Sequence, residues 1–351
     1  MKITVAIPCY NLEDRITACL ESVISQDFQD MEILVIDDHS TDCSVEVVDN
    51  LIEKHPERVF RHIVNPENLG LSMVRNIAIK EARGEFLFFI DGDDTIESGT
   101  LTLFYSRIEE TDVDVVCGSF RKKDFDGNTY IIKQFPEDTI KGDFAYASYI
   151  ERYINGFFSI VVWNKLYSLN FLRKNNICCA PHYREFESSF FTFKVALYAQ
   201  SISFIHDITY NYYDIPTSIC HQRNDLKYLY NYRAVIESVI DVKNDFELFH
   251  KVSVIPCGIL FLFNYICLTS GLLKRAVVSD VNKREKILLL KWLKEQYVKN
   301  DMNWSNIVGP YNKISYLILI SPFPYFLFRF YYKHLRIFAT IIGLFSRILN
   351  N

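Results

Sequence analysis

A dense group of carboxylates follows an apolar run in the first third of the chain. Residues 86–90 read FLFFI and lead directly into Asp91, Gly92, Asp93 and Asp94. Three carboxylates within four residues repel one another in a low dielectric unless a cation compensates them. A hard divalent cation that also binds diphosphate oxygens would do so, and Gly92 would allow the sharp turn and the close approach of a ligand. An Asp-rich turn capping the next helix is the alternative.

Polar clusters also follow three earlier apolar runs. IPCYN closes the first run at 7–11, IDDHSTD closes the second at 36–42, and NLGLSMVRN follows the third at 68–76. In a parallel sheet the carboxyl ends of the strands share one edge, and ligands bind beyond that edge. We therefore expect the four clusters to meet there.

The spacing of the apolar runs predicts the elements that position these clusters. Five strand-like runs begin 27 to 29 residues apart, the length of a strand–helix unit; they are Ile3–Ile7, Glu32–Asp37, Val59–Val64, Phe86–Asp91 and Val113–Ser119. Pro8 has no N–H to donate and is expected to stop the first strand. Alternating strands and helices predict an α/β fold with a mostly parallel sheet covered by helices on both faces.

The shared edge is expected to bind a nucleotide. Asp38 can accept a hydrogen bond from a base N–H, and Asn68 and Arg75 can hold polar groups of the ligand. Asp91 and Asp93 can reach a ribose and a metal ion.

In their order and spacing, IPCYN, IDDHSTD, NLGLSMVRN and FIDGDD resemble family-2 glycosyltransferases of the GT-A fold over residues 1–120. The resemblance implies an inverting transfer from a nucleotide diphosphate sugar, commonly UDP-linked, assisted by Mg²⁺ or Mn²⁺. It also implies that Pro8, Tyr10 and Asp38 line the nucleoside pocket, that Asp91 touches the ribose, and that Asp93 binds the metal. The predicted donor-binding set is Pro8, Tyr10, Asn11, Asp38, Asn68, Arg75 and Asp91, and the predicted metal ligands are Asp93 and Asp91.

A second motif, VWNKLY at residues 162–167, resembles an element of bacterial polysaccharide-building members of the same family. Trp163 is expected to stack on a sugar ring, and Asn164 and Lys165 to steer acceptor hydroxyls or diphosphate charge. A structural Trp beneath a loop is the alternative.

The chain departs from the family at the general base. Relatives usually carry E-D-x-x-F, in which the Asp deprotonates the acceptor, whereas this chain reads Glu187-Ser188-Ser189-Phe190-Phe191. Serine at its ordinary pKa is not such a base, so Glu187, or Glu185 nearby, is predicted to replace it. A rival interpretation is a weakly catalytic donor-binding or scaffold subunit of a polysaccharide assembly complex.

Charge is distributed unevenly along the chain. The net charge is -5, yet residues 1–120 hold 24 Asp and Glu against nine Lys and Arg, and no acidic residue follows Asp301. An amphipathic basic helix is predicted near the C-terminus, where Ile337, Ile341, Leu344, Phe345 and Ile348 share one face. We expect this tail to bind an anionic membrane surface, although a helix packed on the protein is the alternative.

These features give a domain assignment. Residues 1–225 are predicted to form the catalytic GT-A domain, with a nucleotide-sugar half at 1–120 and an acceptor half at 121–225. Residues 226–351 are predicted to form a helical region ending in the membrane-surface tail. The acceptor is expected to be a glycan or a lipid-linked glycan used in cell-surface polysaccharide synthesis.

Other classes of function are disfavoured. The sequence has no G-x-G-x-x-G after the first strand, no G-x-x-x-x-G-K-[S/T] motif, and no basic aromatic stripe in its catalytic half. These absences argue against dinucleotide oxidoreductases, P-loop enzymes and nucleic-acid binding. The nine cysteines, without a C-x-x-C pair, are expected to be small core residues in a reducing compartment, Cys9, Cys19 and Cys43 among them. A cytoplasmic protein at the inner face of the cell membrane is predicted.

Overall fold

The structure is a computed structural model that describes residues 1–124, 126–142, 161–179, 187–215 and 281–299, together with positions 233 and 237. The chain divides into two compact units, Met1–His221 and Gln222–Asn351.

The first unit begins with four strand–helix pairs and a sixth strand, as the repeat of apolar runs predicted. These elements are β1 (Ile3–Cys9), α1 (Ile16–Ile24), β2 (Met31–Asp37), α2 (Ser44–Lys54), β3 (Val59–Val64), α3 (Leu71–Glu81), β4 (Phe86–Phe89), β5 (Thr95–Ile96), α4 (Thr100–Thr111) and β6 (Val115–Lys123). All seven residues of β1 and of β2 are buried, which explains why both read as continuous apolar strands.

The remaining described elements of the first unit are four strands and two helices. They are β7 (Thr129–Lys133), β8 (Asp138–Lys141), β9 (Lys165–Ser168), α5 (Leu169–Lys174), α6 (Glu187–Tyr198) and β10 (Ser201–Tyr213).

The strands form one mixed sheet in the order β3-β2-β1-β4-β9-β6-β10-β5. The first four are parallel neighbours, but β9 runs antiparallel to both β4 and β6. The expected α/β fold is therefore confirmed, but the sheet is mixed: its second half combines the parallel pair β6 and β10 with antiparallel neighbours. The apolar core includes residues from β1, β2, β4, β6 and β10.

Three predicted strand ends were wrong. The fifth predicted strand ends at Lys123 and not at Ser119, as β6. β1 continues through Pro8 and Cys9, because Pro8 needs no N–H toward β4, whose pairing with β1 stops at Ala6. β4 ends at Phe89, so Asp91 lies in the loop after the strand.

In the second unit the structure describes one helix, α7 (Lys283–Lys299). The Asn282 side chain accepts a hydrogen bond from the Glu285 amide at 3.1 Å and so caps its first turn. The Arg233 guanidinium lies 4.5 Å from the centroid of the Trp292 ring. The predicted basic tail lies outside the described residues.

None of the helices in the described part of the chain combines the length and the apolar character that a bilayer span needs.

The described cysteines are all free thiols. Cys9 and Cys19 are buried, as expected, but Cys43 is exposed just before α2 and is not a core residue.

Candidate functional site

The carboxyl ends of β1 to β4 and the loops that follow them form one edge of the sheet. We call it the carboxyl edge, and its residues are Tyr10–Asn11, Asp38–Ser40, Asn65–Gly70 and Asp91–Asp94. Because the strand order is β3-β2-β1-β4, the loop after each strand lies beside the loops of its neighbours. The prediction that the four polar clusters meet at one edge is confirmed.

The loops after β1 and β2 are tied together by hydrogen bonds. Asn11 has a left-handed backbone conformation (φ 53°), and its Oδ1 accepts from the Thr41 amide at 2.8 Å. The Asn11 amide donates to Ser40 Oγ at 2.9 Å, and that hydroxyl donates to Asp37 Oδ2 at 2.6 Å. Asn11 therefore holds two loops in register, and since it is also exposed, its role as a direct donor ligand stays a prediction.

The Asp38 carboxylate shapes the loop after β3. Its Oδ1 accepts from Asn65 Nδ2 at 2.9 Å and from the Leu69 amide at 2.8 Å. Its Oδ2 accepts from the amide of Gly70, whose φ of 86° suits glycine. Asp38 is 4% exposed. Both oxygens thus support the loop, and the expected contact of Asp38 with a nucleobase N–H stays a prediction.

Asn68 contributes to the same frame. Its Nδ2 donates to the Asp38 carbonyl oxygen at 3.2 Å, and its side chain is half-buried. Asn68 therefore joins two loops of the carboxyl edge, and its predicted contact with the ligand stays a prediction.

Arg75 lies in α3, and its guanidinium reaches the carboxyl edge. Its Nη2 donates to Asp91 Oδ1 at 2.7 Å, and the Arg75 side chain is 1% exposed while that of Asp91 is 25% exposed. The sequence predicted a direct contact between Arg75 and a ligand. In the structure Arg75 instead forms an ion pair that compensates the charge of Asp91. A buried pair of this kind holds the carboxylate in place, since loss of one partner leaves the other charge uncompensated.

Asp93 and Asp94 have different surroundings although they are neighbours. Burial, and to a smaller extent the charge of Asp91, raise the pKa of the half-buried Asp93 carboxyl to about 6. Asp94 is fully buried, and burial together with the charges of Asp93 and Asp91 raises the pKa of Asp94 well above its ordinary value. Asp93 is the member of the pair that a ligand can reach.

The two reachable carboxylates, Asp91 and Asp93, fit a divalent cation delivered with a diphosphate. Mg²⁺ is commonly held by one or two carboxylates, while substrate phosphates and water complete its shell. Across residues 1–124 and the other described segments, no group of three or more His, Cys, Asp or Glu side chains is arranged to hold a metal ion. The donor set therefore suits a shared cation and not a closed protein site.

Gly92 is required by packing. A Cβ at Gly92 would lie 2.7 Å from the Pro8 carbonyl oxygen and 2.8 Å from Leu12 Cδ1. The close approach predicted for a ligand is therefore made by β1 and the residues after it. Pro8 is itself buried, which corrects its expected place on the pocket surface.

Tyr10 remains open to solvent at the carboxyl edge. It is 45% exposed directly after β1. Of the predicted donor-binding residues, Tyr10, Asn11 and Asp91 thus present polar or aromatic surface to solvent, with Asp93 nearby.

The Trp163 side chain is 4% exposed and packs in the apolar core. Its ring stacks on Tyr210, with centroids 4.4 Å apart and planes at 9°, and on Tyr212 at 5.7 Å. Phe120 meets it edge-on at 5.0 Å. The expected stacking on an acceptor sugar is therefore corrected, because the indole faces pack against the protein.

Asn164 joins three strands and also has a structural role. Its amide donates to the Phe89 carbonyl of β4, and its Nδ2 donates to the Gly118 carbonyl of β6 at 2.8 Å. Its Oδ1 accepts from Thr209 Oγ1 of β10 at 2.8 Å. In place of the predicted acceptor contact, Asn164 makes hydrogen bonds that connect three strands of the sheet.

Lys165 is 3% exposed, and its Nζ donates to the Val161 carbonyl oxygen. It is therefore not a surface group that steers an acceptor. Burial lowers the pKa of the Lys165 ammonium to about 8 from 10.5.

The Lys165 pKa predicts a pH-dependent stability. Between pH 8 and 10.5 the unfolded chain binds more protons than the folded chain, so the stabilising contribution is complete above pH 10.5 and is lost as pH falls to 8. Lys165→Met has no such dependence. Its free energy of unfolding minus that of wild type should therefore be larger at pH 7 than at pH 10.5 by about 3 kcal/mol, so the variant is relatively more stable at pH 7. Urea unfolding at both pH values measures the difference. Lys80→Met, at an exposed position of α3, is the control, and an equal pH response in both variants would contradict the prediction.

The predicted base Glu187 is the first residue of α6. Its side chain lies outside what the structure describes, as does Glu185. The chain that leads toward this helix is anchored to α3, since Asn76 Oδ1 accepts from the Cys179 amide and Asn76 Nδ2 donates to the Cys179 carbonyl, both at 2.8 Å.

Comparison with known proteins agrees with this geometry. Residues 4–179, half of the chain, match the family model described as Glycosyl transferase family 2. The chain belongs to this family. The resemblance identified from the four motifs is thereby confirmed.

This family-2 member is similar to several curated proteins. Poly(ribitol-phosphate) beta-glucosyltransferase of Bacillus spizizenii is 32% identical over 215 residues, which cover 60% of this chain and 32% of that protein. The chain thus spans less than two thirds of the length of the first curated relatives it matches.

Solved structures support the fold. Staphylococcus aureus TarS 1-349 in complex with UDP-GlcNAc aligns with a TM-score of 0.59 and 21% identity over 95% of this chain and 92% of TarS. Mannosyltransferase PcManGT from Pyrobaculum calidifontis, in complex with GDP-Man and Mn²⁺, aligns with a TM-score of 0.51 and 15% identity over 91% and 85% of the two chains. The GT-A-like fold predicted for this family-2 member is confirmed.

Residues that sequence reasoning missed complete the site. Tyr210 contacts two members of the Asp91–Asp94 loop, and Asn65 contacts Asp38. Asn65 directly follows a strand, the same signal that identified the other clusters. Tyr210 had no such signal, because its partners are more than a hundred residues away.

Proposed function

We propose that this family-2 member is an inverting glycosyltransferase that moves a sugar from a UDP-linked donor to a glycan or lipid-linked glycan in cell-surface polysaccharide synthesis. The observation that carries the proposal is the carboxyl edge, where the exposed Tyr10 lies on the same edge as the reachable Asp91 and Asp93. An aromatic face suits a nucleobase, and a carboxylate pair suits a metal-bound diphosphate.

The relatives support the proposal by what they act on or bind. The Bacillus protein is a glucosyltransferase for poly(ribitol-phosphate), and TarS was crystallised with UDP-GlcNAc. The Pyrobaculum mannosyltransferase was crystallised with a nucleotide sugar and Mn²⁺. We assign Mn²⁺ or Mg²⁺ as the cofactor of this chain and a hexose or its N-acetyl form as the transferred sugar.

The proposed mechanism gives each residue of the edge one task. Tyr10 stacks on the base, and the ion pair with Arg75 holds the Asp91 carboxylate in place. Asp91 and Asp93 would hold the divalent cation, whose charge neutralises the diphosphate as it leaves. Glu187 removes the proton from the acceptor hydroxyl, which attacks the anomeric carbon from the face opposite the leaving group and inverts its configuration.

The decisive experiment is a screen of nucleotide sugars for Mn²⁺-dependent release of free nucleotide, with and without glycan acceptors. A glycosyltransferase releases UDP from one donor and releases it faster with an acceptor. The rival is a scaffold subunit, which Ser188 favours because the usual base is missing. That subunit would bind UDP in calorimetry but release none from any donor.

The basic tail is proposed to hold the enzyme at the inner face of the cell membrane. Lys313, Arg329, Lys333, Arg336 and Arg347 supply five positive charges after Asp301. Each contributes about 1 kcal/mol near an anionic surface. We expect the full chain to sediment with anionic vesicles and a chain truncated after Asn312 to remain in the supernatant. Neutral vesicles are the control, and equal sedimentation of both chains would remove the membrane assignment.

A further inference from the structure

Tyr210 joins β10 to the loop that carries the reachable carboxylates. Its hydroxyl donates to Asp94 Oδ2 at 2.7 Å and accepts from the Asp91 amide at 3.1 Å. One oxygen thus contacts both ends of a four-residue loop. A phenylalanine would fill the same volume but would make neither bond.

β10 holds Asp94 from a second side as well. The Tyr213 amide donates to Asp94 Oδ1 at 2.8 Å, and the Asp94 amide donates to the Asp91 carbonyl at 3.0 Å. Asp94 is fully buried, so these bonds are shielded from water. Asp93 lies between the two fixed ends, so the main-chain position from which its carboxylate projects is held by them.

The VWNKLY motif fixes Tyr210 in turn. Trp163 lies flat against the Tyr210 ring, and Asn164 accepts a hydrogen bond from Thr209, the residue before Tyr210. A Cβ at Gly118 would lie 2.2 Å from Thr209 Oγ1, so this junction has no spare volume. The tyrosine ring, which is 0% exposed, has a single position.

We propose that Tyr210 is a positioning residue that aims Asp93 at the cation and diphosphate, and that Trp163 and Asn164 act through Tyr210 and not on the acceptor. This assignment deepens the proposed function and rests on it for its effect on activity. The physical link between Tyr210 and the loop is independent of that function.

The test compares Tyr210→Phe with Tyr167→Phe. Tyr167 is also buried and donates one hydrogen bond, to the Val162 carbonyl at 2.9 Å, so both variants lose a buried hydroxyl. Both should lower Tm by a few degrees. Tyr210→Phe alone should raise the Mn²⁺ concentration for half-maximal UDP binding by about tenfold or more, as expected when support of a metal ligand is lost.

Hydrogen–deuterium exchange of residues 88–96 provides a readout without nucleotide. The Asp91 amide should exchange about tenfold faster in Tyr210→Phe and at the wild-type rate in Tyr167→Phe. Unchanged exchange in Tyr210→Phe would overturn the positioning role, as would an equal loss of Mn²⁺ affinity in both variants. If wild-type protein binds neither Mn²⁺ nor UDP, the proposed function is wrong, and the exchange rates alone decide whether Tyr210 positions the loop.

Discussion

Replacing Asp93 with asparagine is expected to reduce Mn²⁺-dependent release of UDP at least about a hundredfold. Asp93 is half-buried next to Asp91, and Asn keeps its shape while removing the charge that attracts the cation. Metal stabilisation of a leaving group contributes several kcal/mol, and about 1.4 kcal/mol corresponds to a factor of ten. The measurement is the initial rate of UDP release over a series of Mn²⁺ concentrations.

Asp207→Asn is the matched control for the loss of one aspartate. Asp207 is exposed on β10, outside the Asp91–Asp94 loop. This variant should retain wild-type rates. A near-normal rate in Asp93→Asn at every Mn²⁺ concentration would rule out a metal-binding role for Asp93.

Glu187→Gln is expected to lower the rate of transfer to the acceptor by a factor of about 10² to 10⁴, the range for loss of a general base. Glutamine cannot take the proton of the attacking hydroxyl. Donor binding should persist, since the carboxyl edge is made from residues 10–94 and not from α6. Product formation at saturating donor and acceptor, together with the dissociation constant for UDP, separates the two effects.

Ser188→Ala provides the control at the adjacent position of α6. A serine hydroxyl at its ordinary pKa takes no proton, so this variant should transfer sugar at the wild-type rate. If Glu187→Gln also keeps that rate, Glu187 is not the base, and Glu185→Gln is then the informative variant.

The parts of the fold that follow from local pattern could be predicted from the sequence. β1 and β2 are buried along their whole length, so both appear as apolar runs, and the strand–helix repeat fixes which strand ends lie on the same edge. Asp38, Asp91 and Asp93 could therefore be placed together before any contact was known.

The roles of individual side chains could not be read in the same way. Asp38 supports the loop after β3 because three N–H groups of residues 65–70 donate to its carboxylate. Trp163 is internal because Tyr210 and Tyr212 stack on its ring. Both facts depend on contacts between distant segments. The insertion of β9 between β4 and β6 has the same cause, since antiparallel pairing with two distant strands leaves no periodic signal in a four-residue element.

Arg75 lies where the sequence predicted, but its contacts differ from the predicted ones. Its position after the third strand correctly predicted that it lies at the site. Its side chain is only 1% exposed, however, and it pairs with the Asp91 carboxylate, so Asp91 and Asp93 are the groups that a ligand can reach. Burial, which sequence alone does not report for a long polar side chain, decided the outcome.

The tight packing at Gly92 has a consequence for donor selection. A side chain at residue 92 would meet the Pro8 carbonyl oxygen and the side chains of Leu12 and Ile16, so the loop after β4 lies tightly against β1 and α1. In the proposed function this packing holds the spacing between Tyr10 and the Asp91–Asp93 pair constant, and we expect changes of sugar preference to arise farther out, where the hexose projects.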